Sequence, residues 1–485
     1  MPLLHHNTRP PGVKPAVGKV PRQGVLLAVL AVAQLMVILD ISAVNVALPD
    51  LARDLGIARS DIGWAITSYS LVFGSLLLLG GRAADAIGRK RLFLAGLAVF
   101  TIASVVTALS SDPTGLFAAR AGQGLGAAML SPAALSILLT AFRGADRTRA
   151  LSVWGAVGGA GAALGVLLGG VLTEIIDWRA IFAINVPVAI ALTIAAMRVV
   201  PRDAQRPQWR GLDLPGAVIA TAGLGAIVFA ISQASTVGWI SAQTLGVGAA
   251  GLLALAAFTA VELRSSRPLL KVQRLADRAV GGGMAMMLAV SAVLFGSFLL
   301  SSVYLQEVLG ASALMAGLAF LPMALAIGVG AHLGGRVIGH AGVRVPMTVA
   351  LLVAAAGLLL LSQVGADGTY AADVLPGMVI TGIGIGVALV GVSAAVLTGA
   401  ADEETGMLSG LNTTGHEIGG ALGVAVLVSI ATSAAAGTSM TGGIGAAFLT
   451  AAAIAVIAGM IALVVLPAAS NFLPTLRLAP RVSIH

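Results

Sequence analysis

Four ionisable side chains stand inside apolar stretches, where ionisable groups are costly. Asp40 lies in Leu39-Asp40-Ile-Ser-Ala-Val-Asn45-Val-Ala-Leu-Pro49, His416 and Glu417 are adjacent in Asn412-Thr-Thr-Gly-His-Glu-Ile-Gly-Gly420, and Arg120 precedes Gly122-Gln123-Gly-Leu-Gly126. A charge at the centre of a membrane helix costs about 2.5 to 3.5 kcal/mol on insertion scales, so a carboxyl retained there is a functional candidate. The chemistry such a group offers is proton exchange, because moving it between a dry and a polar environment shifts its balance of neutral and charged forms. Arg120 could serve as the counter-ion of Asp40. Simpler readings stand beside these: a static hydrogen bond from Asp40 to Ser or Asn, a stabilising contact for His416 and Glu417, and a snorkelling side chain for Arg120.

The elements that must position these residues are membrane helices. Of 485 residues, 58% are hydrophobic and 10% charged, against about 25% charged in a soluble domain. The mean hydropathy of +1.00 excludes a water-soluble globule. Apolar runs bounded by Pro, Gly or charge predict fourteen helices, at 24–48, 62–82, 91–110, 116–140, 150–174, 180–198, 214–234, 241–263, 279–304, 314–336, 346–364, 372–398, 406–431 and 445–467. Hydrocarbon forces such spans to be helical, so the fold class is an all-α polytopic membrane protein. The first run could pass for a signal peptide cut after Ala31-Val32-Ala33, but its apolar stretch continues too far beyond that point.

The basic residues set the orientation. With a cytoplasmic N-terminus, all of the 28 Lys and Arg except Arg53, Arg59, Arg120 and Arg179 fall in segments on the cytoplasmic side, as the positive-inside rule requires. The pI of about 10.7 is therefore a signal of topology, and nucleic acid is not expected as a partner. Both termini are expected in the cytoplasm.

Sliding the chain on itself by 254 residues places Leu55-Gly56 on Leu309-Gly310, Gly80-Gly81-Arg82 on Gly334-Gly335-Arg336, Gly88 on Gly342, and Gly161, Gly165 and Gly169 on Gly415, Gly419 and Gly423. An offset of eight helices implies two six-helix bundles, 24–200 and 279–468, separated by a linker with two inserted helices, 201–278, with tails 1–23 and 469–485. Parallel repeats of this kind belong to transporters. Opposite His416 and Glu417 the first half carries Ala162 and Ala163, so the ionisable pair breaks the symmetry. The glycines of helix 5 form one smooth face, either a sliding seam or static packing.

Enzyme chemistry has no support. The sequence lacks GxSxG, HExxH and GxxxxGK[ST], it has no Cys, and its six His are scattered, so no metal or cofactor is expected. The predicted walls of a substrate cavity are Asn45, Trp64, Tyr69, Phe73, Gln123, Phe295 and Phe298, with Met284, Met286 and Met287, since Met and aromatic side chains accommodate varied ligands.

Several segments resemble the major facilitator superfamily, specifically its 14-helix drug:proton antiporter group. Gly80-Gly-Arg-Ala-Ala-Asp85-Ala-Ile-Gly88-Arg89-Lys-Arg91 is similar to the family's motif between helices 2 and 3, Leu39-Asp40 to Pro49 to the group's helix 1 motif, and Arg120-Ala-Gly-Gln123-Gly-Leu-Gly126 to its helix 4 motif. Trp178-Arg179 to Pro187, and Tyr304-Leu-Gln306 with Gly317 and Leu321-Pro322, look like further signatures of the group. The helix 5 motif departs from the family pattern, with Val166 where Pro normally follows the central glycine. The resemblance implies proton-coupled efflux of amphipathic compounds such as drugs, antibiotics and dyes by a monomer in the plasma membrane. Asp40, Glu417, His416 and Arg120 would handle the proton. Gly80, Asp85, Gly88 and Arg89 would form the gate together with Gly161, Gly165 and Gly169, Asp85 facing the start of helix 13 near Thr405 and the basic 143–149 loop. Export of lipid or lipid-linked cargo, import, and a non-transporting receptor or scaffold are the alternatives.

Overall fold

The computed structural model describes residues 22–142, 144–203, 214–265, 272–397, 402–470 and 472. Among these there is no strand. Fourteen helices follow one another: α1 (Arg22–Leu55), α2 (Trp64–Ile87), α3 (Arg89–Ala108), α4 (Pro113–Ala141), α5 (Gly144–Ile175), α6 (Ala180–Val199), α7 (Leu214–Val237), α8 (Ala242–Arg264), α9 (Arg278–Val308), α10 (Ala313–Ala341), α11 (Arg344–Leu361), α12 (Tyr370–Leu397), α13 (Asp402–Ala435) and α14 (Met440–Val465). Thirteen are long and apolar enough to cross a bilayer; of α5, the stretch Leu164–Ile175 qualifies as a shorter apolar helix. The chain is a multi-pass membrane protein.

Helix ends follow local chemistry. Asp112, Ser241, Ser312 and Ser439 cap α4, α8, α10 and α14, each side chain accepting from a backbone N–H three residues on. The end of α1 differs from expectation. Pro49 removes one backbone donor without breaking the helix, and α1 runs on to Leu55, where Gly56 turns the chain with φ +64°. Gly310, its partner in the repeat, has φ +66°, and the second pair, Gly88 and Gly342, has φ +115° and +73°. A side chain at such angles costs roughly 1 to 2 kcal/mol, so the repeat keeps glycine where the turn demands it.

One apolar core joins α1 to α4 and α6, around Tyr69, Phe93, Phe100 and Leu138. A second joins α9 to α14, around Tyr304, Phe320, Met347 and Phe448. Within each half, glycines allow close helix contact: on α5, Gly165 and Gly169 fit against Ser42 and Ala43 of α1, and on α13, Gly419 fits against Leu288 of α9. The inserted α7 lies against both α2 and α13. Beyond it, α8 rides on α7 through Gly223 and Gly251 and is otherwise largely exposed.

Candidate functional site

Between the halves lies a cavity of about 1710 Å³. Its wall runs from mid-helix residues, among them Asn45, Phe73, Phe295, Phe298 and Glu417, to Arg82 on α2 and His332 on α10, at the end of the bundle that carries most of the basic residues. Its lining is mainly apolar with a few convergent polar groups, the usual character of a small-molecule site. Phe298 and Phe320 stack at 4.5 Å with planes 9° apart. At the opposite end the halves are tied together. Ser302 Oγ donates to the Asn45 carbonyl at 2.7 Å, Gln306 Nε2 donates to the Val46 carbonyl at 2.8 Å, and Arg59 pairs with Glu307 at 3.3 Å. A Cβ on Gly317 of α10 would stand 2.9 Å from the Val166 carbonyl of α5, which leaves no gap there.

Two buried carboxyls flank this space. Asp40 sits behind the wall, 2% exposed. Its Oδ2 accepts from Arg120 Nη1, and its Oδ1 accepts from Asn185 Nδ2 at 2.8 Å and Gln123 Nε2 at 3.0 Å. Gln123 also donates to Ser104 Oγ at 2.8 Å and accepts from Arg120 Nη1 at 2.8 Å, while Arg120 Nε donates to the Ala65 carbonyl at 3.0 Å. The Arg120 guanidinium lies 4.6 Å from the Tyr69 ring centre and 5.5 Å from that of Phe182, within cation–π range. Asp40 receives three N–H donors and gives none, an arrangement that an ionised carboxylate fills.

Glu417 is different. It lies on the cavity wall, against α2, where a Cβ on Gly74 would come within 2.7 Å of its own Cβ. Its Oε2 is buried without a hydrogen-bond partner. The adjacent His416 has Nδ1 2.7 Å from Ser291 Oγ, and its ring meets Phe295 edge-on at 5.2 Å. Asn45, another lining residue, likewise has its Oδ1 buried without a hydrogen-bond partner.

A family profile covers residues 30–424. The chain belongs to the Major Facilitator Superfamily. A superfamily member, it is a membrane transporter and not an enzyme. It is 41% identical over 423 residues to the puromycin resistance protein of Streptomyces alboniger, covering 86% of this chain and 84% of that one. To the cephamycin export protein of Amycolatopsis lactamdurans it is 40% identical over 416 residues, with coverage of 85% and 86%. Its fold is like that of a bacterial homologue of the human lysosomal transporter Spinster, with TM-score 0.67 and 16% identity, covering 96% of this chain and all of that one.

Within this superfamily member the structure brings Asp40 and Arg120 together, and puts Asn45, Phe73, Phe295, Phe298, His416 and Glu417 on the cavity. Three expected wall residues are elsewhere. Trp64 turns outward and meets Phe229 of α7 at 6.4 Å, Tyr69 is shut beneath Arg120, and Gln123 is consumed by the Asp40 network. The three Met residues pack into the second half, Met284 against Gly415 and Met286 and Met287 in its core. The glycines of α5 do not form a seam between halves: Gly161, Gly165 and Gly169 face α1 of their own half, and the glycine that meets the other half is Gly170, against Ala313 and Leu314. At the gate motif, Gly80 abuts the Ala128 carbonyl of α4. Next to Gly88 and Arg89, the Asp203 carboxylate accepts from the N–H groups of Lys90 and Arg91, each at 3.1 Å, and Lys90 Nζ donates to the Met197 and Val200 carbonyls. The side chains of Asp85 and Thr405 and the basic side chains of 143–149 lie outside what the structure describes. Asn185, Ser104 and Ser291 escaped the sequence reading as site residues, although Asn185 is a polar exception early in an apolar helix.

Proposed function

We propose that the protein exports amphipathic organic compounds, antibiotics among them, in exchange for protons, by alternating access of its two halves. The observation that carries the reading is the large apolar cavity between the halves, tied shut at one end and reaching the other, with the membrane-buried carboxyl residue Glu417 among its lining residues. The puromycin and cephamycin relatives support the class of cargo. The positive-inside distribution supports a cytoplasmic cavity end, with both termini on that side of the plasma membrane, which would make this the state that loads substrate. The apolar part of an amphipathic cargo fits against Phe298 and Phe320, which stack on the cavity wall.

Arg120 faces Asp40 in this state. A rocking motion that draws α4 from α1 would separate them and let the carboxyl take a proton. A membrane potential of 100 mV supplies about 2.3 kcal/mol per charge and one pH unit about 1.4 kcal/mol, which together sustain a cargo gradient of several hundredfold. In inverted vesicles, Asp40→Asn should abolish substrate-induced proton release and leave substrate binding measurable. Normal coupled transport in that variant would overturn the role of Asp40. Glu417→Gln should change the pH dependence of transport, and an unaltered profile would remove Glu417 from the coupling.

A further inference from the structure

Pro49 leaves α1 with a carbonyl that α1 cannot satisfy. In an α-helix each N–H meets the carbonyl four residues earlier, so a proline at 49 takes away the donor of the Asn45 carbonyl. A carbonyl left bare away from water is unfavourable. The surroundings here are dry, since Val44, Val46, Ala47 and Leu48 are all fully buried.

The missing donor comes from the other half. Ser302 of α9, itself fully buried, donates its hydroxyl to the Asn45 carbonyl at 2.7 Å. A serine inside a helix commonly spends that hydrogen on the carbonyl four residues back in its own helix, as Ser68 and Ser75 of α2 do at 2.6 Å; Ser302 spends it across the interface. Its oxygen in turn accepts from Gln306 Nε2 at 3.0 Å, the same amide that donates to the Val46 carbonyl. Gln306 stands on a π-helical turn, Tyr304–Val308, a distortion frequent at functional sites. The repeat does not duplicate this arrangement. At the register of Pro49 the second half has Val303, which keeps its N–H, and at the registers of Ser302 and Gln306 the first half has Leu48 and Ala52. The bare carbonyl belongs to α1 and the donors to α9.

We propose that Pro49 is a positioning residue for the transport cycle: it withholds the intrahelical donor from the Asn45 carbonyl, so that closure of this end, which brings Ser302 to that carbonyl, supplies the bond. Closure then gains a hydrogen bond that α1 cannot make alone, and opening has to hand the carbonyl to water. Apolar contact between the halves favours closure without direction; a directional bond to one bare carbonyl fixes the register at which α1 and α9 meet. The motion that this bond opposes rests on the alternating-access reading above.

The chain has no cysteine, so a single thiol can report opening without background. Val46→Cys places it on α1 in a side chain buried in the core of the other half, and Ala134→Cys places a control within the core of the first half. Each full-length variant is treated in detergent with a water-soluble maleimide, alone and combined with Pro49→Ala, Ser302→Ala or both. Pro49→Ala returns the N–H to α1, and Ser302→Ala removes the donor on α9. Each should speed labelling at 46 about fivefold, the factor that one such hydrogen bond carries, and the pair should go no further than the larger single effect. Effects that multiply, towards about 25-fold, the absence of acceleration in either single variant, or a parallel rise at 134 overturns the proposal. Neither cargo nor a proton gradient enters this measurement, so loss of export with the non-multiplying pattern intact would overturn the export reading and not the role of Pro49.

Discussion

Asp40 and Glu417 are both carboxyls buried in membrane helices, one in each half, and they are held in opposite ways. Asp40 is enclosed by side chains from α4 and α6, each of its oxygens takes at least one N–H, and the charge opposite it is fixed by a second set of bonds to Gln123 and the Ala65 carbonyl. Glu417 stands on the surface of a cavity with one oxygen unused. A saturated carboxyl is set by its protein neighbours and changes when those neighbours move. An unsaturated one leaves a buried oxygen without a fixed partner. This contrast separates a carboxyl locked into a network from one with an oxygen that no neighbour holds.

The largest expected break in this contrast comes from stranding a charge. Arg120→Met leaves Asp40 buried without its counter-ion and should cost about 3 to 5 kcal/mol, whereas Glu417→Gln removes no partnered bond at Oε2 and should stay within about 1 kcal/mol. Thermal unfolding of the purified variants measures both, and similar losses would erase the distinction. A smaller difference is expected from two glycines. On α4, Gly124→Ala drives its Cβ into the Tyr69 carbonyl of α2 and should cost about 1 to 3 kcal/mol through overpacking; in the cavity, Gly328→Ala meets no neighbour and should leave unfolding unchanged. The mildest test alters neither carboxyl. Thr413→Cys on the cavity wall should react with a water-soluble thiol reagent about tenfold faster than Ser104→Cys, which is packed in the Asp40 network. Equal rates would mean that water reaches both regions alike.

Much of this was legible in the sequence. In lipid every span must be a helix, so hydropathy alone located the fourteen helices, and glycines at forced backbone angles, Gly56 with Gly310 and Gly88 with Gly342, kept the repeat visible. Asp40, Arg120 and Glu417 stood out because polar exceptions in apolar runs are few. The facing of each side chain was harder to read. A helix apolar all round carries no periodic signal to tell a cavity wall from a lipid-facing or core-facing surface, and so Trp64, Tyr69 and Gln123 were assigned to the cavity when α7, Arg120 and Asp40 had claimed them. Asn185 and Ser291 were overlooked because their partners lie on helices distant in sequence, and no spacing rule links them.

The paired turn glycines have a consequence for how such a molecule can change. Where a positive φ favours glycine, each half keeps the same turning points, and the helices between those points are released to diverge in sequence. At the position 254 residues beyond Asp40 stands Leu294, and at the one 254 residues before Glu417 stands Ala163. Neither half duplicates the other's carboxyl. A doubled scaffold therefore repeats its turns and not its buried carboxyls, one of which stands on each side.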